Sequence, residues 1–266
     1  MSHSIPEPSA VAITTPLGRV LHTGDWKLDK TPLTSPPTDE ARLRAIGREG
    51  LDVLVCDSTN AIREGVSPSE QEVGGNLEKL IGEAPQCVAV TTFASNVARL
   101  SSVARAARAT GRELVVAGRA MYRIIEAAQA TGYLDPDLDF HEETAFDRLP
   151  RDRIVALCTG SQGEPRAALA RIAAGEHPSI SLKAGDWVIY SSRTIPGNEK
   201  AVARVQNALA DNKVKILTDQ DALVHVSGHP RRGELQQLYE WVKPDVAVPM
   251  HGEGRHLEAH AQFAEE

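Results

Sequence analysis

Three short segments of this chain of 266 residues gather side chains able to do chemistry. His3 lies in MSHSIPE, and Asp25 closes the β-leaning stretch GRVLHTGD. HVSGHP packs His225, Ser227 and His229 around Gly228, and in VPMHGEGRH His251 directly follows an apolar run. Neutral imidazole and carboxylate form the ligand set that suits zinc or manganese engaged in hydrolysis. A lone histidine after a strand is more often structural, and no HxH, HExxH or CxxC pair is present. Spacing alone therefore suggests a metal site without specifying it. His141, His177, His256 and His260 stand in polar stretches expected to be exposed, and His22, within a strand-like run, reads as packed.

The elements that must position these residues alternate along the chain. After VAITT and GRVLH, apolar runs expected to be strands occupy Val53–Cys56, Cys87–Thr91, Glu113–Ala117, Ile154–Cys158, Trp187–Ser191, Lys213–Leu217 and Val246–Pro249. Between them lie amphipathic stretches such as NVARLSSVARAARATG and MYRIIEAAQATG, each closed by glycine as a helix end requires, and NEKAVARVQNALADN. Alternating strands and helices imply an α/β fold with a largely parallel sheet. The turns DSTNA, TTFASN, TGSQGEP and SSRTIPGNE are polar and follow strands. In open α/β sheets, ligands bind beyond the carboxyl ends of strands. Each turn alone fits ordinary helix capping; the four together favour a crevice that donates hydrogen bonds to phosphates.

Composition narrows the class. A hydrophobic fraction of 41% with 24% charged residues fits a chain that builds a core. No apolar run approaches the ~18 residues that a membrane span needs. Cys56, Cys87 and Cys158 all sit in apolar runs, which reads as buried reduced thiols and a cytoplasmic setting. The net charge of −7 argues against gripping nucleic acid by bulk electrostatics. It leaves room for a groove that handles phosphate through backbone amides, hydroxyls and metals.

Eight collinear segments sharpen this reading: HSIPE, LHTGDWKLD, VCDSTNA, TTFASN, LCTGSQGEPRAAL, SSRTIPGNE, HVSGH and VPMHGEGRHL. They resemble, in order, the signature segments of ribonuclease J, the bacterial RNA-processing branch of the metallo-β-lactamase superfamily with a β-CASP insertion. The resemblance implies a partial metallo-β-lactamase αββα domain with an inserted β-CASP α/β domain. Residues 1–66 would form the end of the first metallo-β-lactamase segment, 67–205 the β-CASP domain and 206–266 the return segment.

Residue by residue, His3 matches the family's isolated histidine ligand, Asp25 the aspartate bridging two metals, and His251 the late histidine ligand. Asp57 matches the acidic residue expected to orient His229, which protonates or positions the leaving group. His225 and Ser227 match residues that contact an RNA phosphate, and Gly160, Ser161 and Gln162 would line the same channel. The implied activity is hydrolysis of RNA, as a 5′→3′ exonuclease favouring a 5′-monophosphate and as an endonuclease. The implied cofactors are two divalent ions, zinc or manganese, and the family forms homo-oligomers.

The family's HxHxDH segment, which lies upstream of the histidine matched by His3, is nowhere in this sequence. MSHSIPE therefore reads as a cut through a catalytic domain, and the C-terminal dimerisation domain is also missing. Two expectations follow: part of a metal-dependent ribonuclease, or a non-catalytic RNA-binding or interaction fragment built on the β-CASP domain.

Overall fold

The computed structural model describes all residues from Met1 to Glu266, and the chain divides into two compact units. The first comprises Met1–Ser69 and Ser227–Glu266, and the second is the insertion Glu70–Val226. In chain order the first unit opens with β1 (Val11–Thr15), β2 (Gly18–His22), α1 (Glu40–Glu49) and β3 (Val53–Asp57). The insertion contains α2 (Glu70–Glu83), β4 (Val88–Thr91), α3 (Val97–Ala109), β5 (Glu113–Ala117) and α4 (Arg119–Ala130). It continues with β6 (Ile154–Cys158), α5 (Ala168–Ala173), β7 (Trp187–Tyr190), α6 (Glu199–Asp211) and β8 (Lys215–Leu217). The first unit then resumes with α7 (Arg232–Val242), β9 (Val246–Met250) and α8 (Gly254–Glu265). No helix is long and apolar enough to cross a membrane.

The inserted sheet is wholly parallel, in the order β5-β6-β4-β7-β8. Its strands are near-continuous apolar runs because both faces are covered. Val88, Val90, Val116, Val155 and Leu157 pack against residues of α2, α3 and α4, including Leu77, Leu100 and Met121. Ala89, Val115, Ala117, Ala156 and Tyr190 pack on the other side with Leu169 of α5 and Val205 of α6. Arg99 is fully buried and binds the Glu70 carboxylate at 2.8 Å, the Ser191 hydroxyl at 2.6 Å and the Val224 carbonyl at 2.9 Å.

Compact packing of the insertion continues beyond residue 205. β8 pairs with β7, and Leu209 and Val214 are buried in the insertion's core, so residues 206–226 pack with the insertion rather than with the return segment.

In the first unit the order is β1-β2-β3-β9, with the β1–β2 hairpin antiparallel and β2-β3-β9 parallel. Leu21, Leu54 and Cys56 point to a core built with Leu43 and Ile46 of α1 and Leu235, Leu238 and Trp241 of α7. The registers Val11↔His22, Ile13↔Val20, Val20↔Val53 and Val53↔Val246 align the other face. On that face Val11 is 54% exposed, Ile13 50%, Val246 52% and Val248 42%. His22 belongs to this face and is exposed, contrary to the packed position expected for it; its Nδ1 accepts from the Gly24 N–H at 3.1 Å. All three cysteines are buried and unpaired, as expected, and burial pushes their thiols up to about 12.

Candidate metal centre

The carboxyl ends of β2, β3 and β9 converge on one cluster in the first unit. Asp25 follows β2, Asp57 ends β3, His251 follows β9, and the 227–229 loop brings His229. One ligand atom from each of Asp25, His229 and His251 lies within 4.8 Å of the others. His251 Nε2 is 3.6 Å from Asp25 Oδ2, too far for a hydrogen bond and suited to a shared cation. His3 joins them, its ring centroid 5.4 Å from that of His229, which in turn stands 5.3 Å from that of His251.

Hydrogen bonds fix the tautomers. His3 Nδ1 lies 2.7 Å from the Gly228 carbonyl, an acceptor only, so Nδ1 carries the proton and Nε2 keeps its lone pair. His229 Nδ1 lies 2.6 Å from Asp57 Oδ2 and is held in the same way. A histidine that donates one N–H to a carboxylate or carbonyl is prepared to bind a metal or exchange a proton through the other nitrogen. Burial pulls the His229 pKa down, but the bond to Asp57 and its charge outweigh this, and the net shift is upward. Burial would raise Asp57, yet the His229 contact and two donors from Thr59 hold its carboxyl below the usual value. His3 is lowered, chiefly by burial, against the opposing pull of the Gly228 carbonyl.

Close approach explains the glycine of HVSGH. A Cβ at Gly228 would overlap His3 Cε1 and Nδ1, and would stand 2.8 Å from Ser4 Oγ.

The DSTN turn after β3 ties these pieces together. Asp57 holds His229, and Thr59 donates to Asp57 Oδ1 from its N–H at 2.9 Å and its hydroxyl at 2.7 Å. The Asn60 amide donates to Ser227 Oγ at 2.9 Å and to the His229 carbonyl at 3.1 Å. The Ser58 N–H reaches the Met250 carbonyl at 2.8 Å and the His251 carbonyl at 3.3 Å. Those bonds steady His251, whose φ of 54° is unusual for a residue with a side chain.

Sequence reasoning missed Asn60 and His260. The latter, expected to be exposed, is fully buried: its Nδ1 is 2.8 Å from Ser58 Oγ and its Nε2 3.0 Å from the Tyr239 hydroxyl. Its neighbour His256 is also buried, Nδ1 accepting from the Glu253 N–H. One signal was available, because His256, His260 and Phe263 recur at the spacing of a single helix face.

The other expected site residues belong to the insertion. Gly160, Ser161 and Gln162 follow β6 and are buried. The Gln162 side chain braces the next loop, donating to the Arg193 carbonyl at 2.9 Å and accepting from the Ile195 N–H at 2.8 Å. His225 is half-buried just after Val224, whose carbonyl is held by Arg99 and by Ser191 Oγ at 2.7 Å. Of the four polar turns, DSTNA lies in the first unit and the other three in the insertion. Asn96 of TTFASN caps α3 by accepting from the Arg99 N–H at 3.0 Å.

Residues 85–209 match the family model "Ribonuclease J, beta-CASP domain", and residues 214–266 match "Zn-dependent metallo-hydrolase RNA specificity domain". Ribonuclease J from Sinorhizobium meliloti is 55% identical over 99% of this chain and 47% of its own length. The chain belongs to the ribonuclease J family. Ribonuclease J from Mycolicibacterium smegmatis is 48% identical over 99% of this chain and 48% of its own length, and that from Thermus thermophilus 42% over 96% and 45%. The chain thus spans about half the length of the curated relatives it matches. The mixed α/β architecture with parallel sheets is that of the metallo-β-lactamase superfamily with its β-CASP insertion. The two family models meet between residues 209 and 214, whereas compact packing of the insertion runs on to Val226.

Proposed function

We propose that this chain carries part of the catalytic site of a metal-dependent ribonuclease that hydrolyses RNA phosphodiester bonds. The observation that carries the reading is the group Asp25, His229 and His251, with ligand atoms within 4.8 Å, together with His3 beside it; hydrogen bonds at Nδ1 of both His3 and His229 leave Nε2 available. The donor set of imidazoles and one carboxylate fits zinc or manganese. In this reading His3, Asp25 and His251 are the metal ligands. Bound divalent ions would lower the pKa of an attacking water and neutralise charge on the phosphate.

The protein's own residues do the rest. Asp57 holds His229 with Nε2 directed to the cluster, where it protonates or positions the leaving oxygen; its raised pKa keeps more of the acid form at neutral pH. Ser227, held by Asn60, and His225 contact the phosphate beside the scissile bond. The loop containing Gly160, Ser161 and Gln162 borders the path of the RNA. The expected substrate is RNA with a 5′-monophosphate, cleaved from the 5′ end or internally, by a homo-oligomeric cytoplasmic enzyme. Two ions ask for more donors than His3, Asp25 and His251 offer.

The test is to count zinc and manganese bound per folded monomer in the wild type and in His251→Ala, then to assay 5′-monophosphorylated RNA. Metal that is bound by the wild type and lost in the variant supports the reading. A wild-type value near zero, with RNA still retained, would favour the alternative of an RNA-binding domain without its own chemistry.

A further inference from the structure

The DSTN turn has four consecutive residues, and three of them act directly on the cluster: Asp57 on His229, Thr59 on Asp57 and the His251 carbonyl, and Asn60 on Ser227 and His229. Ser58 points the other way. Its hydroxyl is buried and meets His260 Nδ1 at 2.8 Å, while its N–H spans the carbonyls of Met250 and His251. His260 is itself fixed from behind, its Nε2 3.0 Å from the Tyr239 hydroxyl with the rings edge to face at 5.9 Å. A chain of contacts therefore runs from α7 through α8 to the back of the cluster.

We infer that His260 is a positioning residue of the candidate metal centre, acting through Ser58 on Asp57 and His251. The inference rests on reading that cluster as a metal site. By holding the Ser58 side chain in one rotamer, His260 fixes the main chain from Asp57 to Thr59. That keeps the Asp57 carboxylate directed at His229 and keeps the carbonyl of His251 capped in its left-handed conformation. Groups one layer behind a metal ligand set its orientation, and their removal weakens metal binding by roughly 10–100-fold.

Two conservative replacements separate positioning from packing. In His260→Asn the side-chain amide takes the place of Nδ1 and keeps the Ser58 contact while abandoning Tyr239. In His260→Gln the amide reaches the place of Nε2, keeping Tyr239 and abandoning Ser58. Zinc and manganese affinities of the full chain should fall by roughly 10–100-fold in His260→Gln and Ser58→Ala, while His260→Asn stays close to the wild type. A purely structural histidine would lose both replacements alike. Equal losses in Asn and Gln, or no loss in either, overturn the inference.

If the wild type takes up no metal, the metal reading fails by itself and positioning is judged without metal. The measurement is then the proton resonance of His229 Nδ1–H against Asp57. It should move or broaden in His260→Gln and Ser58→Ala and persist in His260→Asn; an unchanged resonance in all three overturns the inference.

Discussion

The two sheets of this molecule are built from similar strands and meet different fates. In the insertion, β4 (VAVT) and β6 (IVALC) are buried at every position. In the first unit, β3 (VLVCD) and β9 (VAVPM) are as apolar, but Val53, Val55, Val246 and Val248 line a face with no helix upon it. A continuous apolar run in a parallel strand is the mark of a sheet covered on both sides. The sequence of the first unit is therefore written for two covered faces, and in this chain α1 and α7 help to cover one. The insertion satisfies its own pattern from within residues 70–226.

The largest expected effect tests the covered sheet. Replacing Arg99 by Met removes the cation paired with buried Glu70 at 2.8 Å, one of the contacts of that carboxylate, and takes one donor from the Val224 carbonyl. Breaking a buried pair from one side costs about 3–5 kcal/mol. The equivalent change in the first unit, Arg19→Met, touches an ion pair with Glu49 at 2.6 Å whose side chains are 22% and 44% exposed. It should cost far less, because water screens an exposed pair. Denaturant melts of the two variants decide the matter: similar losses would mean that the sheets do not differ in burial in solution.

The second effect belongs to the first unit alone. Burial pushes His260 down to about 4, against a weaker opposing pull from the Asp57 charge. The unfolded chain takes up this proton as pH drops through 6.5, while the folded chain resists until about 4. Stability is then complete above 6.5 and falls through that window, by about 3 kcal/mol in all. The lowered Asp57 acts in the same direction in more acid solution, as pH falls through its folded value. His229, which is raised, works oppositely: its contribution is complete below 6.5 and is lost as pH rises through its folded pKa. Stability measured between pH 4 and 7 should slope upward in the wild type and flatten in His260→Asn. A wild-type profile already flat would show that this histidine is not buried.

How much of this was legible follows the same division. The strands of the insertion could be read nearly to the residue, because Val88–Thr91 and Ile154–Cys158 are apolar blocks bounded by polar turns. Nothing in Lys215–Leu217 announces which sheet a three-residue edge strand will join; pairing with β7 decides that. In the site, the ligand-type residues stood out by chemistry, since Asp25 and His251 each follow a strand. Ser58, Asn60 and His260 did not, because their roles are contacts across 167 to 202 residues of sequence. In GRHLEAHAQF the spacing of His256, His260 and Phe263 marks one helix face, but the partners of His260 appear only when Tyr239 and Ser58 are seen to meet it.

A smaller effect probes the close approach at the cluster. Gly228→Ala places a methyl group against the His3 ring, and overpacking of this kind costs about 1–3 kcal/mol. His3 must move, so its bond to the Gly228 carbonyl weakens and Nε2 loses its fixed direction. Metal affinity should fall more than the lost stability alone explains. A variant that loses stability but binds metal as the wild type does would remove His3 from the ligand set.

The smallest effect on stability is the one that tests the uncovered face. Val246→Thr and Val248→Thr keep the β-branched shape that strands favour and replace a methyl with a hydroxyl on positions 52% and 42% exposed. If water already meets that face, each change should alter stability by less than ~0.5 kcal/mol. Self-association should nonetheless decline, since an apolar sheet face of this kind drives contact with other chains. Sedimentation of the double variant at several protein concentrations reads this directly. A stability loss well above ~0.5 kcal/mol that grows with protein concentration would mean that the face is covered in solution, and the contrast between the two sheets would then be a matter of partner rather than of sequence.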